Sequence, residues 1–184
     1  MQIIERMFKK LKFIIGSALK ILYTFASDPM RTFYQREIAK EAEVSVGSAN
    51  RALKILTEKE LVMKETRGKI FLYKFNIENS VARQIKILFN VNELDELVRT
   101  LKEYSKRIIL FGSCAEGSDV KDSDIDLFVL SNVKGKVKRI IDAYQTSRNI
   151  APIIVDANDF AKMRNEDKPL YDNILRGIRL WETE

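Results

Sequence analysis

The chain has 184 residues, 46% apolar and 32% charged, with a formal net charge of +6 and no histidine. Without imidazoles there is no Ser-His-Asp or Cys-His catalysis and no ordinary zinc site, so acid–base or metal chemistry falls to carboxylates. A single cysteine, Cys114, excludes an internal disulfide framework. No apolar run approaches a membrane span, and the first residues carry an early acid and no cleavage-site pattern. A cytoplasmic protein with no membrane partner is expected.

Charge is unevenly placed. Met1–Asn90 holds 17 Lys and Arg against 9 Asp and Glu, whereas Val91–Glu184 holds 15 against 17. A basic half joined to a mildly acidic one predicts two domains with different partners, 1–90 and 91–184, the first being the candidate for nucleic acid.

In chain order, Met1–Phe13 predicts a basic amphipathic helix and Ser17–Ala26 a buried one, ended by Ser27-Asp28-Pro29. Thr32–Tyr34 reads as extended and Arg36–Ala42 as a helix. A tight turn follows at Glu43-Val44-Ser45, with Ser45 as N-cap of a helix over Val46–Glu58. That helix places Val46, Ala49, Leu53 and Leu56 on one stripe, with Ser48, Asn50, Arg51 and Lys54 facing away. Leu61–Glu65 and Lys69–Phe75 read as strands joined by a turn at Thr66-Arg67-Gly68.

Helices follow at Ser80–Phe89 and Glu93–Tyr104, with a boundary near Asn90–Asn92. Arg107–Phe111 is a short apolar strand ending on Gly112-Ser113, which can turn sharply and expose backbone N–H groups to phosphate. In the next strand, Ser123–Leu130, Asp124 and Asp126 leave one face while Ile125, Leu127 and Val129 leave the other. Two adjacent carboxylates repel unless a divalent cation sits between them. Val133–Ser147 predicts a helix and Ile150–Val155 a strand. Asp156 ends that strand, either as a third carboxylate for the pair or as the cap of a helix near Asn158–Arg164. A helix at Pro169–Arg176 and a strand at Ile178–Trp181 close the chain.

The order helix, tight turn, helix and basic-tipped hairpin over Gly16–Asn76 resembles the winged helix-turn-helix regulators of bacteria and archaea. Two positions where that family often has glycine hold Glu43 and Glu60. The resemblance implies binding to double-stranded DNA as a homodimer, with Met1–Phe13 and Ser80–Phe89 as the contact between copies. Asn50 and Arg51 are residue types that read base edges, Lys54, Arg67 and Lys69 can neutralise phosphates, and Ser48 lies on the same exposed face.

Gly112-Ser113, a linker and Ser123-Asp124-Ile125-Asp126-Leu127 resemble the motif of the DNA polymerase beta superfamily, nearest its minimal nucleotidyltransferases. The fold class implied is α+β, a winged helix-turn-helix followed by a nucleotidyltransferase-fold domain with a small mixed sheet flanked by helices. The resemblance implies Mg²⁺ or Mn²⁺ on Asp124 and Asp126 and a nucleoside triphosphate on Gly112 and Ser113. Asp156 is the candidate third catalytic carboxylate. Minimal members are often paired with a helical toxin protein, which makes such a protein a candidate partner.

Two functions follow. One is a DNA-binding regulator whose second domain binds, and in the stronger form transfers, a nucleotide. The other is an active transferase modifying a protein, with the winged helix as its targeting module. Glu116 stands where the superfamily often has arginine, which weighs against fast catalysis.

Overall fold

The computed structural model describes residues 16–183, which divide between Phe89 and Asn90 into two compact units. The helix expected over Met1–Phe13 lies outside the described residues.

The first unit begins with α1 (Ser17–Ser27), which buries Ile21, Leu22, Phe25 and Ala26. Then come β1 (Thr32–Tyr34), α2 (Gln35–Glu41) and α3 (Val46–Glu58). The hairpin β2 (Val62–Arg67) and β3 (Ile70–Phe75) completes an antiparallel sheet of order β1-β3-β2. This is the winged helix-turn-helix arrangement.

Helix α2 ends in a Schellman motif, in which Glu43 N–H bonds Lys40 O (3.2 Å) and Val44 N–H bonds Ala39 O (3.0 Å). Helix α3 ends the same way, through Glu60 N–H to Thr57 O (3.0 Å) and Leu61 N–H to Leu56 O (2.9 Å). Glu43 (φ +52°) and Glu60 (φ +57°) are the only left-handed non-glycine residues among those described. The turn geometry is therefore kept with glutamate at both positions.

Two sequence expectations shift here. Val46 is 50% exposed, and the buried stripe of α3 is Ala49, Ala52, Leu53 and Leu56. As the first helical residue, Val46 projects over the turn before the helix rather than into the core. The hairpin loop is Gly68-Lys69, with Gly68 at φ +62° in its first position, so the strands run closer to the tip than the composition suggests.

Helix α4 (Ser80–Glu93) packs Ala82 and Phe89 into the first core. Buried Lys86 on it donates to Ala26 O (2.7 Å) at the end of α1, where a cation meets unpaired helix carbonyls.

In the second unit, α5 (Asp95–Leu101) and a short 3₁₀ turn lead to β4 (Arg107–Leu110). Next come α6 (Gly112–Glu116), β5 (Ile125–Leu130), α7 (Lys134–Asp142) and β6 (Ile150–Val155). The unit ends with α8 (Ala157–Glu166), α9 (Lys168–Arg176) and β7 (Ile178–Glu182). The sheet order is β6-β5-β4-β7, with β5–β6 parallel and the other pairs antiparallel.

Both faces of this mixed sheet are covered. Ile108, Leu110, Ile125, Leu127 and Val129 meet α5 and α7, while Ile109, Phe111 and Phe128 meet Ile174 of α9. Asp126 leaves the Phe128 face, so one carboxylate starts from a half-covered sheet surface.

Candidate functional site

β4 ends at Leu110, and Phe111 N–H still bonds Asp126 O (3.1 Å) before the chain turns at Gly112. Gly112 has φ +65°, and a methyl group there would lie 2.2 Å from Asp126 Oδ2. Glycine is thus required twice, by the left-handed backbone and by the carboxylate against its Cα. The Gly112-Ser113 turn and Asp126 form one site.

Asp124 stands just before β5, exposed, with Asn149 Nδ2 donating to its Oδ1 (3.1 Å). Burial, and then the charge of Asp124, raise the pKa of Asp126 above the usual carboxylate value. That is the compression a cation between the two would relieve. Two oxygen-donor side chains beside a backbone turn fit Mg²⁺ or Mn²⁺, which bind through one or two carboxylates together with substrate phosphates.

The linker from Gly117 to Asp124 is held from beneath. Asp119, fully buried, accepts from Arg148 (2.6 Å) and from Asn90 Nδ2 (2.9 Å). Arg148 also donates to Glu93 (2.7 Å) and to Asn90 Oδ1 (3.1 Å), and Asn90 reaches Cys114 O (2.9 Å). Burial disfavours the Arg148 charge, but Glu93 and Asp119 outweigh it, so the guanidinium pKa rises. Ser123 locks the loop tip, its Oγ accepting from Val120 N–H (3.0 Å) and its N–H bonding Val120 O (3.0 Å). None of Asn90, Glu93, Asp119, Arg148 or Asn149 was singled out from the sequence. They come from scattered segments, and nothing in their spacing joins them.

Asp156 does not join the pair. In the parallel β5–β6 register Asp126 faces Ala151. Asp156 is five residues farther along, roughly 16 Å at ~3.3 Å per residue. Its Oδ1 caps α8 by accepting from Asn158 N–H and Asp159 N–H (both 3.0 Å), and Lys134 lies 2.9 Å from its Oδ2. Hydrogen bonds from the Asp159 N–H and from Lys134 lower its pKa to about 2. The cap is the outcome, and among the described residues no three acidic or thiol side chains cluster for a metal.

In the first unit, Ser45 Oγ accepts from Ser48 N–H (3.1 Å), as the cap reading requires. Ser48 Oγ in turn accepts from Arg51 (3.2 Å), orienting that guanidinium on the exposed face of α3. Asn50 and Lys54 line a groove of about 430 Å³ between α3 and the hairpin, opposite Lys64 and Tyr73. Lys64 Nζ sits 3.8 Å over the exposed Phe71 ring.

Arg67 is elsewhere. It pairs with Glu65 (2.7 Å), on the hairpin face away from Tyr73, while Lys69 occupies the loop tip. The cation that shares the α3 face is Lys64, which the sequence reading missed because the strand alternation cannot be set without the register.

Comparison with known proteins adds the following. Among solved structures, the chain is similar to a possible transcriptional regulator from Methanosarcina mazei Go1 (23% identity, 54% of this chain and 87% of that one, TM-score 0.35). It is also similar to MepR, a transcription regulator of the Staphylococcus aureus multidrug efflux pump MepA (16% identity, 54% and 73%, TM-score 0.41). A curated relative from Methanocaldococcus jannaschii, described as a candidate protein adenylyltransferase, MJ1305, is 34% identical over 111 residues, covering 52% of this chain and 71% of the relative. Residues 92–184 match the family model described as Polymerase beta, Nucleotidyltransferase. That match takes in the Gly112 turn, both aspartates and every strand of the second sheet, and the chain belongs to the polymerase beta nucleotidyltransferase family.

Proposed function

We propose that the chain is a DNA-binding regulator whose C-terminal domain holds a nucleoside triphosphate with Mg²⁺ or Mn²⁺ and transfers its nucleotidyl group to a protein. The observation that carries the nucleotide half is the contact between Gly112 and Asp126, because it puts a backbone turn directly against a carboxylate. The protein acceptor is suggested by the printed description of the Methanocaldococcus relative.

In this reading Asp124 and Asp126 hold the cation, and the backbone N–H groups of Gly112 and Ser113 receive the phosphates. When bound, the cation neutralises the carboxylates and phosphates and makes the α-phosphorus more electrophilic. An acceptor oxygen forms a bond to the α-phosphorus, the bond to pyrophosphate breaks, and the acceptor proton passes to solvent. Asp156 has no part in this.

The DNA half rests on the winged helix-turn-helix and the cations Arg51, Lys54 and Lys64 on one side of it. A homodimer is part of the proposal. Val81 (57% exposed) and Leu88 (46% exposed) stand two helical turns apart on α4, in the stretch expected to meet a second copy.

The test is transfer of label from each α-labelled nucleoside triphosphate, with Mg²⁺ or Mn²⁺, to a co-encoded helical protein or to the chain itself. DNA binding and light scattering are measured in parallel. Transfer that disappears in the Asp124→Asn, Asp126→Asn double variant is the expected result. Metal-dependent nucleotide binding without transfer would reduce the domain to a sensor. Neither binding nor transfer would leave only the winged-helix half.

A further inference from the structure

We propose that Asn149 is a positioning residue of the carboxylate centre, one that orients Asp124 through its side-chain amide. The inference rests on the nucleotide- and metal-binding reading above and concerns how that site is completed.

Two residues on β6 and its entry face the aspartates. Ile125 pairs with Ile150 and Asp126 with Ala151, so Asn149 lies across from Asp124. Its backbone O accepts from Ile125 N–H (2.9 Å), and its side chain donates to Asp124 Oδ1 (3.1 Å). Asn149 is therefore tied to the start of β5 at both main chain and side chain. Ala151 has no polar atom to offer beyond its backbone. Arg148, the residue before, is pinned in the buried Asp119–Glu93 network. That fixes the approach of the chain to Asn149.

Carboxylates that hold a metal are commonly oriented by a hydrogen bond from a neighbour, and losing such a partner costs about 10–100-fold in metal affinity. With Oδ1 of Asp124 held by the amide, Oδ2 is free for the cation. The centre then carries two negative charges rather than three. A doubly charged centre binds a bare cation weakly, and its affinity rises once the triphosphate supplies further oxygens.

The experiment measures Mn²⁺ uptake by paramagnetic resonance, with Mn²⁺ alone and with Mn²⁺ plus the α,β-methylene analogue of ATP. It compares wild type, Asn149→Ala and Asn149→Asp. Asn149→Ala should weaken uptake with the analogue about tenfold. Asn149→Asp should strengthen uptake of Mn²⁺ alone and, with no metal present, lower the melting temperature, because a third carboxylate then adjoins Asp124. A purely structural role would move both variants in the same direction. Unchanged uptake in Asn149→Ala, or uptake of Mn²⁺ alone that is not strengthened in Asn149→Asp, overturns the inference while leaving the nucleotide reading standing. Wild-type protein that takes up no Mn²⁺ in either condition overturns both. Melting curves of each variant establish that it is folded.

Discussion

Both units use left-handed backbone, and they use it for different ends. In the winged-helix unit Glu43 and Glu60 take positive φ at the ends of α2 and α3, where the motif needs only a change of direction. A side chain there costs about 1–2 kcal/mol, and nothing crowds it out. In the nucleotidyltransferase unit Gly112 takes positive φ with the Asp126 carboxylate against its Cα, so an added side chain would have to displace that carboxylate. The same dihedral is mild strain in one place and lets a carboxylate approach the turn in the other.

The sharpest way to break this contrast is Gly112→Ala. Its methyl would collide with Asp126 Oδ2, so metal-dependent nucleotide binding should fall at least a hundredfold in titration calorimetry. DNA binding by the other unit should be unchanged. A fully active Gly112→Ala would show that the close approach does not matter.

Next in size is the charge pair. The raised pKa of Asp126 means that the folded state binds this proton more tightly than the unfolded chain does. Its unfavourable contribution is therefore absent below the unfolded carboxylate value of about 3.9 and appears as pH rises through the folded value. Without metal, melting temperature should decline over that window. Asp126→Asn should remove the decline and, in the same protein, abolish metal-dependent nucleotide binding. Saturating Mn²⁺ should remove the decline in wild type.

On the DNA side, Lys54→Ala and Lys64→Ala should each flatten the salt dependence of duplex binding by about one unit. Arg67→Ala should do less, since that guanidinium is paired with Glu65 on the other face. Fluorescence anisotropy across a salt series distinguishes them. The smallest effect completes the comparison: Glu43→Gly and Glu60→Gly should each stabilise the fold by about 1 kcal/mol in urea unfolding, with neither activity altered.

Much of this was readable from the residues, for identifiable reasons. Glu43 and Glu60 could be named because helix ends impose a backbone conformation at a fixed offset from the helix. Gly112-Ser113 and Asp124-x-Asp126 could be named because turn chemistry and period-2 alternation are local. What was not readable depends on register. Whether Asp156 joins the pair or caps a helix is open without the β5–β6 register, which sets Asn149 and Ala151, not Asp156, beside the two aspartates. Lys64 rather than Arg67 shares the α3 face for the same reason, since a shift in where the hairpin turns changes which residues lie on it. The buried Arg148 network was invisible because Asn90, Asp119 and Arg148 meet only through the folded sheet.

β6, the strand beside the aspartates, is an edge, and Pro152 lies in its middle, opposite Leu127. Proline is tolerated at an edge because the ladder behind it loses no donor there. The same missing N–H leaves a gap in any ladder that an incoming segment would try to build on that side. A protein acceptor of the kind proposed above would thereby be discouraged from docking as an added strand. It would have to offer a loop, a chain end or the exposed hydroxyl of a helix, and that geometry narrows the search for the acceptor before any candidate is purified.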